Sequence, residues 1–250
     1  MASKKEIVTN LVTEPIVETT EVVEDKNTLH NFWNKNGRLV KPFLIGLVIG
    51  ASAFLAYKFL YKAPREVEAN EASFPAENLF AKMTGAGFSK DSAKIALDGG
   101  TLDGAKITGF LAIINKYGST AAGNRATYDA GATYLHTGEY EKAVKYLKDF
   151  SSNGAYQTEI KKYTMLGHAY AELKKNDEAF DAYKKAASVN KKDENFTADA
   201  LMVAGNFATK IGKNKEAIEF FTEARDEYPN FPAVSNGDVD KYLAKLGVTK

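Results

Sequence analysis

Apolar residues fall into three regimes along this chain. Before residue 30 they alternate loosely with Thr and Glu (IVTNLVTEPIVETTEVVED), from Pro42 to Tyr61 they are nearly continuous (PFLIGLVIGASAFLAYKFLY), and from Phe80 onward they recur at spacings of three and four. The last regime predicts α-helices. Within it Gly131, Gly167 and Gly205, at intervals of 36 and 38 residues, are each followed twelve positions later by an alanine, Ala143, Ala179 and Ala217. Each glycine sits in a helical run with Tyr134, Tyr170 or Ala208 three positions on, and each alanine opens a second run in which Leu147 and Phe150, Tyr183 and Ala186, or Phe221 and Ala224 fall four and seven positions later. Three pairs of antiparallel helices follow, the glycine marking where the two helices of a pair approach closely. KDSAKIALDG predicts a further helix, as do Phe110, Ile113, Ile114 and Tyr117, and the amphipathic segment from Asp238 to Leu246 covers the last pair.

The continuous run is read as a membrane span. Twenty helical residues reach about 30 Å, the thickness of the hydrocarbon core. Pro42–Tyr57 carries no charge, and Lys58 must snorkel to the interface. Phe32 and Trp33 on one side, with Tyr57 and Tyr61 on the other, suit interfacial positions. A buried soluble helix is the competing reading, and a cleaved signal peptide is disfavoured by the 41 residues ahead of the run. Lys4, Lys5, Lys26, Lys35, Arg38 and Lys41 precede the span, whereas Lys58, Lys62 and Arg65 are soon followed by Glu66, Glu68 and Glu71. This slight bias keeps the amino end in the cytoplasm of an inner (cytoplasmic) membrane and sends the helical pairs across, into the periplasm in a bacterium.

The expected organisation is a largely disordered cytoplasmic tail over 1–41, the span over 42–61, and a polar linker over 62–76 containing Pro64 and Pro75. A helical cap over 77–123, the three pairs over 124–231 and a closing helix over 232–250 complete it. Valine alternation in the tail also admits a strand formed on a partner, against which Pro15 and the repeated glutamates argue. The chain contains no cysteine, which agrees with export and excludes a cysteine-linked lipid. A net charge of +1 over 250 residues gives no electrostatic case for nucleic acid.

The paired segments resemble the tetratricopeptide repeat, reading Gly131-x-x-Tyr134 with GEYEKAVKYLKDF, Leu166-Gly167-x-x-Tyr170 with NDEAFDAYKKA, and Gly205 with GKNKEAIEFFTEARDEYP. Thr127, Tyr163 and Leu201 stand where the repeat has tryptophan, and Pro229 alone supplies the closing proline. The fold expected is an all-α tetratricopeptide-repeat helical solenoid with one N-terminal transmembrane helix. In such a solenoid partners bind along the first helix of each pair. Counting from the packing glycines brings Tyr128, His136, Lys161, Thr164, His168, Glu172, Met202, Asn206 and Lys210 to a partner-binding groove on the concave face. Lys161, Asn206 and Lys210 could hold a terminal carboxylate, but Met202 and Glu172 interrupt that pattern, so a peptide or helix fits better.

Catalytic chemistry is not visible. His30, His136 and His168 have no cysteine or close acidic pair to complete a metal site, and Gly99, Gly100 and Gly104 read as turns between helices rather than as a phosphate loop. No enzyme activity, metal or cofactor is expected. Gly46-x-x-x-Gly50 permits close approach of two spans and so a homodimer. Read together, ALDGG and GFLAIINKYGSTAAGNRATYDAGATYLHTGEYEKAVKYLKDF resemble membrane-anchored tetratricopeptide proteins of Bacteroidetes-type bacteria. More distantly they are similar to the ancillary SecYEG translocon subunit (YfgM-like) family. That resemblance implies a non-enzymatic periplasmic partner of SecYEG and of a periplasmic chaperone. A scaffold in cell-envelope assembly or cell division is the alternative.

Overall fold

The computed structural model of the protein describes residues 26–248 and divides the chain into two compact units, Met1–Ala56 and Tyr57–Lys250. Lys4, Lys5 and the valine-rich part of the expected tail lie outside the described residues. In the first unit, helix α1 (Lys26–Ala56) begins well inside the segment expected to be unstructured. Once the apolar run is helical, each preceding residue joins it by adding one hydrogen bond without a new nucleus. Pro42 lies inside this helix, where its missing N–H leaves the carbonyl of Arg38 without the usual partner. Phe43, Leu44, Ile45, Leu47, Val48, Ile49, Phe54 and Leu55 are all exposed. Among the described residues one helical stretch, within His30–Gly85, is long and apolar enough to cross a membrane, and none of its apolar window is buried.

The second unit opens with a π-helical turn (Tyr57–Lys62) and helix α2 (Ala63–Ala86). This corrects the linker expected over 62–76. Pro64 sits in the first helical turn, where a missing N–H costs nothing, and Pro75 removes only one interior donor. Two of the glutamates that suggested a solvated linker, Glu66 and Glu68, are instead bonded to groups far along the chain. The Glu66 carboxylate accepts from the Ala121 and Ala122 amides at 2.9 and 3.2 Å. Glu68 accepts from Lys116 at 2.8 Å and from the Tyr117 hydroxyl at 2.7 Å. Arg65 donates to the Lys116 carbonyl. One face of α2, comprising Ala69, Ser73, Ala76, Leu79 and Met83, is buried against α3 (Lys90–Asp98), α4 (Phe110–Tyr117) and α5 (Ala121–His136).

Between α3 and α4 the glycines form a hairpin that the helical reading did not anticipate. Strands β1 (Gly100–Leu102) and β2 (Ala105–Ile107) pair antiparallel, Gly100 opposite Ile107. They turn on Asp103–Gly104, both with positive φ (51° and 78°), the Asp-Gly pair favoured in two-residue hairpins.

The three pairs are α5 with α6 (Tyr140–Asp149), α7 (Tyr156–Glu172) with α8 (Asn176–Ser188), and α9 (Glu194–Lys210) with α10 (Asn214–Glu227). Ala143, Ala179 and Ala217 are fully buried. The marker glycines face the residue sixteen positions on. A Cβ at Gly131 would stand 2.8 Å from Leu147, at Gly167 2.4 Å from the Tyr183 ring, and at Gly205 2.7 Å from the Phe221 ring. The turn between the helices of each pair also repeats: Glu139, Lys175 and Lys213 donate to the carbonyls of Tyr134, Tyr170 and Ala208, each at 2.9 Å. The residue just before each donor has positive φ, namely Gly138, Lys174 and Gly212. This is the Schellman closure, which glycine adopts without steric cost and Lys174 does not. After α10, α11 (Pro232–Ser235) and α12 (Asp238–Lys245) close the stack, with Val239 and Leu243 buried and Tyr242 stacked on Phe221. The architecture is an all-α tetratricopeptide-repeat solenoid with one N-terminal helix of membrane-spanning length and composition.

Candidate protein-interaction surface

Adding the repeat intervals of 36 and 38 to positions on the first helices aligns four residues per pair. They are Arg125, Tyr128, Ala132 and His136 on α5; Lys161, Thr164, His168 and Glu172 on α7; and Asp199, Met202, Asn206 and Lys210 on α9. The nine residues singled out from the sequence all lie on this stripe. Arg125, Ala132 and Asp199 complete it, and the interval arithmetic would have found them.

The stripe differs from pair to pair. On α5 it is taken up by the chain itself. Arg125 donates to Asn70 at 2.6 Å and to Glu77 at 3.3 Å, both on α2. Ala132 is 3% exposed, and the His136 ring stacks on Phe88 with centroids 4.1 Å apart. Tyr128 is half-buried and packs on Phe150. Tyr128 is therefore not freely presented as a groove residue should be, because Phe150 after α6 lies against it, whereas His136 stays exposed beside Phe88.

On α7 and α9 most of the stripe is open. Lys161, His168, Glu172, Asp199, Asn206 and Lys210 are exposed. Met202 departs from expectation. It is 8% exposed and belongs to the core with Leu201 and Phe207. Thr164 is half-buried and donates to the Ile160 carbonyl one turn back at 3.0 Å, a bond within its own helix. The Lys161 ammonium lies 5.2 Å from the centre of the Phe196 ring on α9. His168 Nδ1 and the Tyr183 hydroxyl are 2.8 Å apart. Burial on the Tyr183 side lowers the His168 pKa, opposed by Glu172 and Asp199. Which of the two donates follows the tautomer of the ring.

A cavity of about 430 Å³ opens where α2, α5 and the loop before α7 meet, lined by Glu77, Arg125, Tyr128, Asp129, Phe150 and Thr158 among others. Glu77 is held there by the Ser73 hydroxyl (2.9 Å) as well as by Arg125. Asp129 receives no side-chain hydrogen bond among the described residues. Burial, reinforced by Glu77 and opposed by Arg125, raises its pKa from 3.8 to about 7. Burial, with Asp129 adding to it, likewise pushes the Tyr128 phenol up to about 12. Among the described residues no group of three or more His, Cys, Asp or Glu is placed to hold a metal ion.

The tetratricopeptide repeat family matches over residues 162–193, from the middle of α7 through α8 to the residue that caps α9. No curated protein matches the chain. The repeat is a protein-interaction module, and the match falls on the second pair, one of the two whose stripe is mostly open.

Proposed function

We propose that this chain is a non-enzymatic, membrane-anchored scaffold that binds a protein segment along the open stripe of α7 and α9. One observation carries the reading. At its first position the same stripe on α5 already engages a helix, the chain's own α2, through the position-equivalent side chain Arg125. On α7 and α9 the equivalent residues Lys161, His168, Asn206 and Lys210 are exposed. Their mixture of cations, amide and imidazole beside acidic Glu172 and Asp199 suits a polar helix or extended peptide.

In this reading residues 1–41 face the cytoplasm, 42–61 cross the inner membrane, 62–123 support the first pair, 124–231 form the repeats and 232–250 close them. The repeats lie in the periplasm, a placement supported by the basic residues ahead of Pro42. The resemblance to the ancillary translocon subunits supports SecYEG and a periplasmic chaperone as partners. Gly46 and Gly50 have open space where a Cβ would stand, which supports close approach of a second span.

The test is copurification from gently solubilised membranes, comparing the parent chain with a Lys161→Ala, His168→Ala, Asn206→Ala variant. The account expects translocon or chaperone components with the parent and at least tenfold less with the variant. Envelope-assembly or division proteins in their place would move the partner assignment to the alternative, and undiminished capture by a folded variant would remove the stripe from the account.

A further inference from the structure

The repeat intervals of 36 and 38 residues carry Asp129 to Met165 in the second pair and to Val203 in the third. Both of those side chains are partly buried and pack against the core. The fold thus fills this position with apolar surface twice and does not require an acid, and a half-buried carboxyl without a partner costs stability. Asp129 lines the cavity of about 430 Å³ between α2, α5 and the loop before α7, together with Glu77, Arg125, Tyr128 and Phe150. We propose that this cavity receives one basic side chain of a bound polypeptide, an apolar stem ending in a single positive charge, with Asp129 as the carboxylate that pairs with it.

Three features of the cavity select that occupant. The first is which polar groups are left over. Asn124 exchanges two hydrogen bonds with the Ser151 backbone (2.8 and 3.0 Å), while the Ser151 and Ser152 hydroxyls donate to Asn153 and Glu159, each at 3.0 Å. The loop wall is therefore satisfied within the chain. The Asp129 carboxyl and the Tyr128 hydroxyl have no hydrogen-bond partner among the described residues, yet both remain reachable, since Arg65 Nε is the one unpartnered side-chain polar atom sealed from solvent there. The second is charge. Arg125 donates to Asn70 and Glu77 on α2 and so balances one of the two carboxylates. With Asp129 ionised, the lining is one positive charge short. Lys162 on α7 does not supply it, because its ammonium donates to the Phe150 carbonyl at 2.6 Å. The third is shape. The volume lies within the roughly 300–1,000 Å³ of small-ligand pockets, and the Tyr128 and Phe150 rings, 5.1 Å apart, offer an apolar wall to the stem. Arg125 and Tyr128 are also the first two positions of the stripe on α5, so a segment lying on that stripe carries its side chains past the cavity.

The inference rests on the scaffold reading only for the source of the side chain, and small probes test the cavity without any partner. Full-length chain in detergent is titrated with N-acetyl-lysine methylamide, and binding is read from the amide shifts of residues 124–134. At pH 8 the lysine probe should bind at least tenfold more tightly than N-acetyl-norleucine methylamide, which keeps the stem without the ammonium. The groups facing Asp129 are Glu77 from α2 and Arg125 and Tyr128 from its own helix, and the loop before α7 adds no titratable side chain to the lining. Because Asp129 titrates near 7 with the cavity empty, and only the carboxylate pairs with a cation, the lysine probe should bind about tenfold more weakly at pH 6 than at pH 8. Asp129→Asn should weaken it at least tenfold at pH 8 and flatten that pH dependence. The Lys161→Ala, His168→Ala, Asn206→Ala variant should bind the probe as the parent does, so a failed stripe leaves this result standing. Equal affinity for the lysine and norleucine probes, full binding by a folded Asp129→Asn chain, or no shift with the lysine probe in excess overturns the inference. Tighter binding of n-butylammonium than of the lysine probe overturns the assignment to a polypeptide side chain.

Discussion

Replacing Gly167 by alanine should destabilise the second pair, although the same change at an exposed helical glycine stabilises by about 1 kcal/mol. The added Cβ would stand 2.4, 2.5 and 2.7 Å from Cε1, Cδ1 and Cζ of Tyr183. Real contacts of this kind do not fall below about 3 Å, so the ring must move by more than half an ångström. It has little room. Tyr183 is 3% exposed, faces the Phe207 ring at 4.9 Å, and is tied to His168 through its hydroxyl. Overpacking of this order costs about 1–3 kcal/mol, and losing the tyrosine–histidine bond adds about 1 kcal/mol. Setting the helix-propensity gain against these leaves a net loss of about 1–3 kcal/mol. Full-length chain in detergent, followed by thermal unfolding and by hydrogen exchange at the amides of α7 and α8, reads this out locally, which matters in a stack of repeats whose pairs need not open together. A Gly167→Ala chain that melts higher and protects α7 better than the parent would refute the reasoning.

Two other perturbations follow from local geometry. Asp129 titrates near 7 when folded but near 3.8 when exposed, so its contribution to stability is fully present below about pH 4 and is lost as pH rises through 7. The shift sets a ceiling of about 4 kcal/mol, and solvent reaching the half-buried carboxyl should leave about 1–3 kcal/mol. Asp129→Asn should accordingly match the parent near pH 4 and exceed it at pH 8; parallel denaturation profiles over that window would contradict the assignment. Lys174 has φ 60° where the other two pairs use Gly138 and Gly212, so Lys174→Gly should raise stability by about 0.5–1 kcal/mol in chemical denaturation, and a loss would show that the turn is not equivalent.

Much of this architecture is legible in the residues because the repeat writes the same contact three times. The glycine-to-alanine interval and the apolar residue sixteen positions after each glycine fix which helices pair and through which side chains. The stripe was readable for the same reason, and the interval would also have yielded Arg125, Ala132 and Asp199. What escaped is non-local. Glu66 and Glu68 look like the composition of a solvated linker until their partners, 48 to 56 residues away, are seen. The engagement of Arg125 and His136 follows from that same misplaced helix, since Asn70, Glu77 and Phe88 reach α5 only if α2 is packed. Met202 was lost to core packing, where equivalence of position did not bring equivalence of exposure. The Asp103–Gly104 hairpin, by contrast, carried an ordinary two-residue turn signal that the surrounding helical period obscured.

The most direct test of the binding surface is site-specific photocrosslinking in intact membranes. A photoreactive side chain is placed in turn at His168 or Asn206 on the open stripe, at buried Ala132 on α5, and at Lys184 or Lys215 on the second helices. The account predicts protein adducts of one common partner from positions 168 and 206, and none from 132, 184 or 215. Adducts concentrated at 184 and 215, with positions 168 and 206 silent in a folded chain, would contradict it.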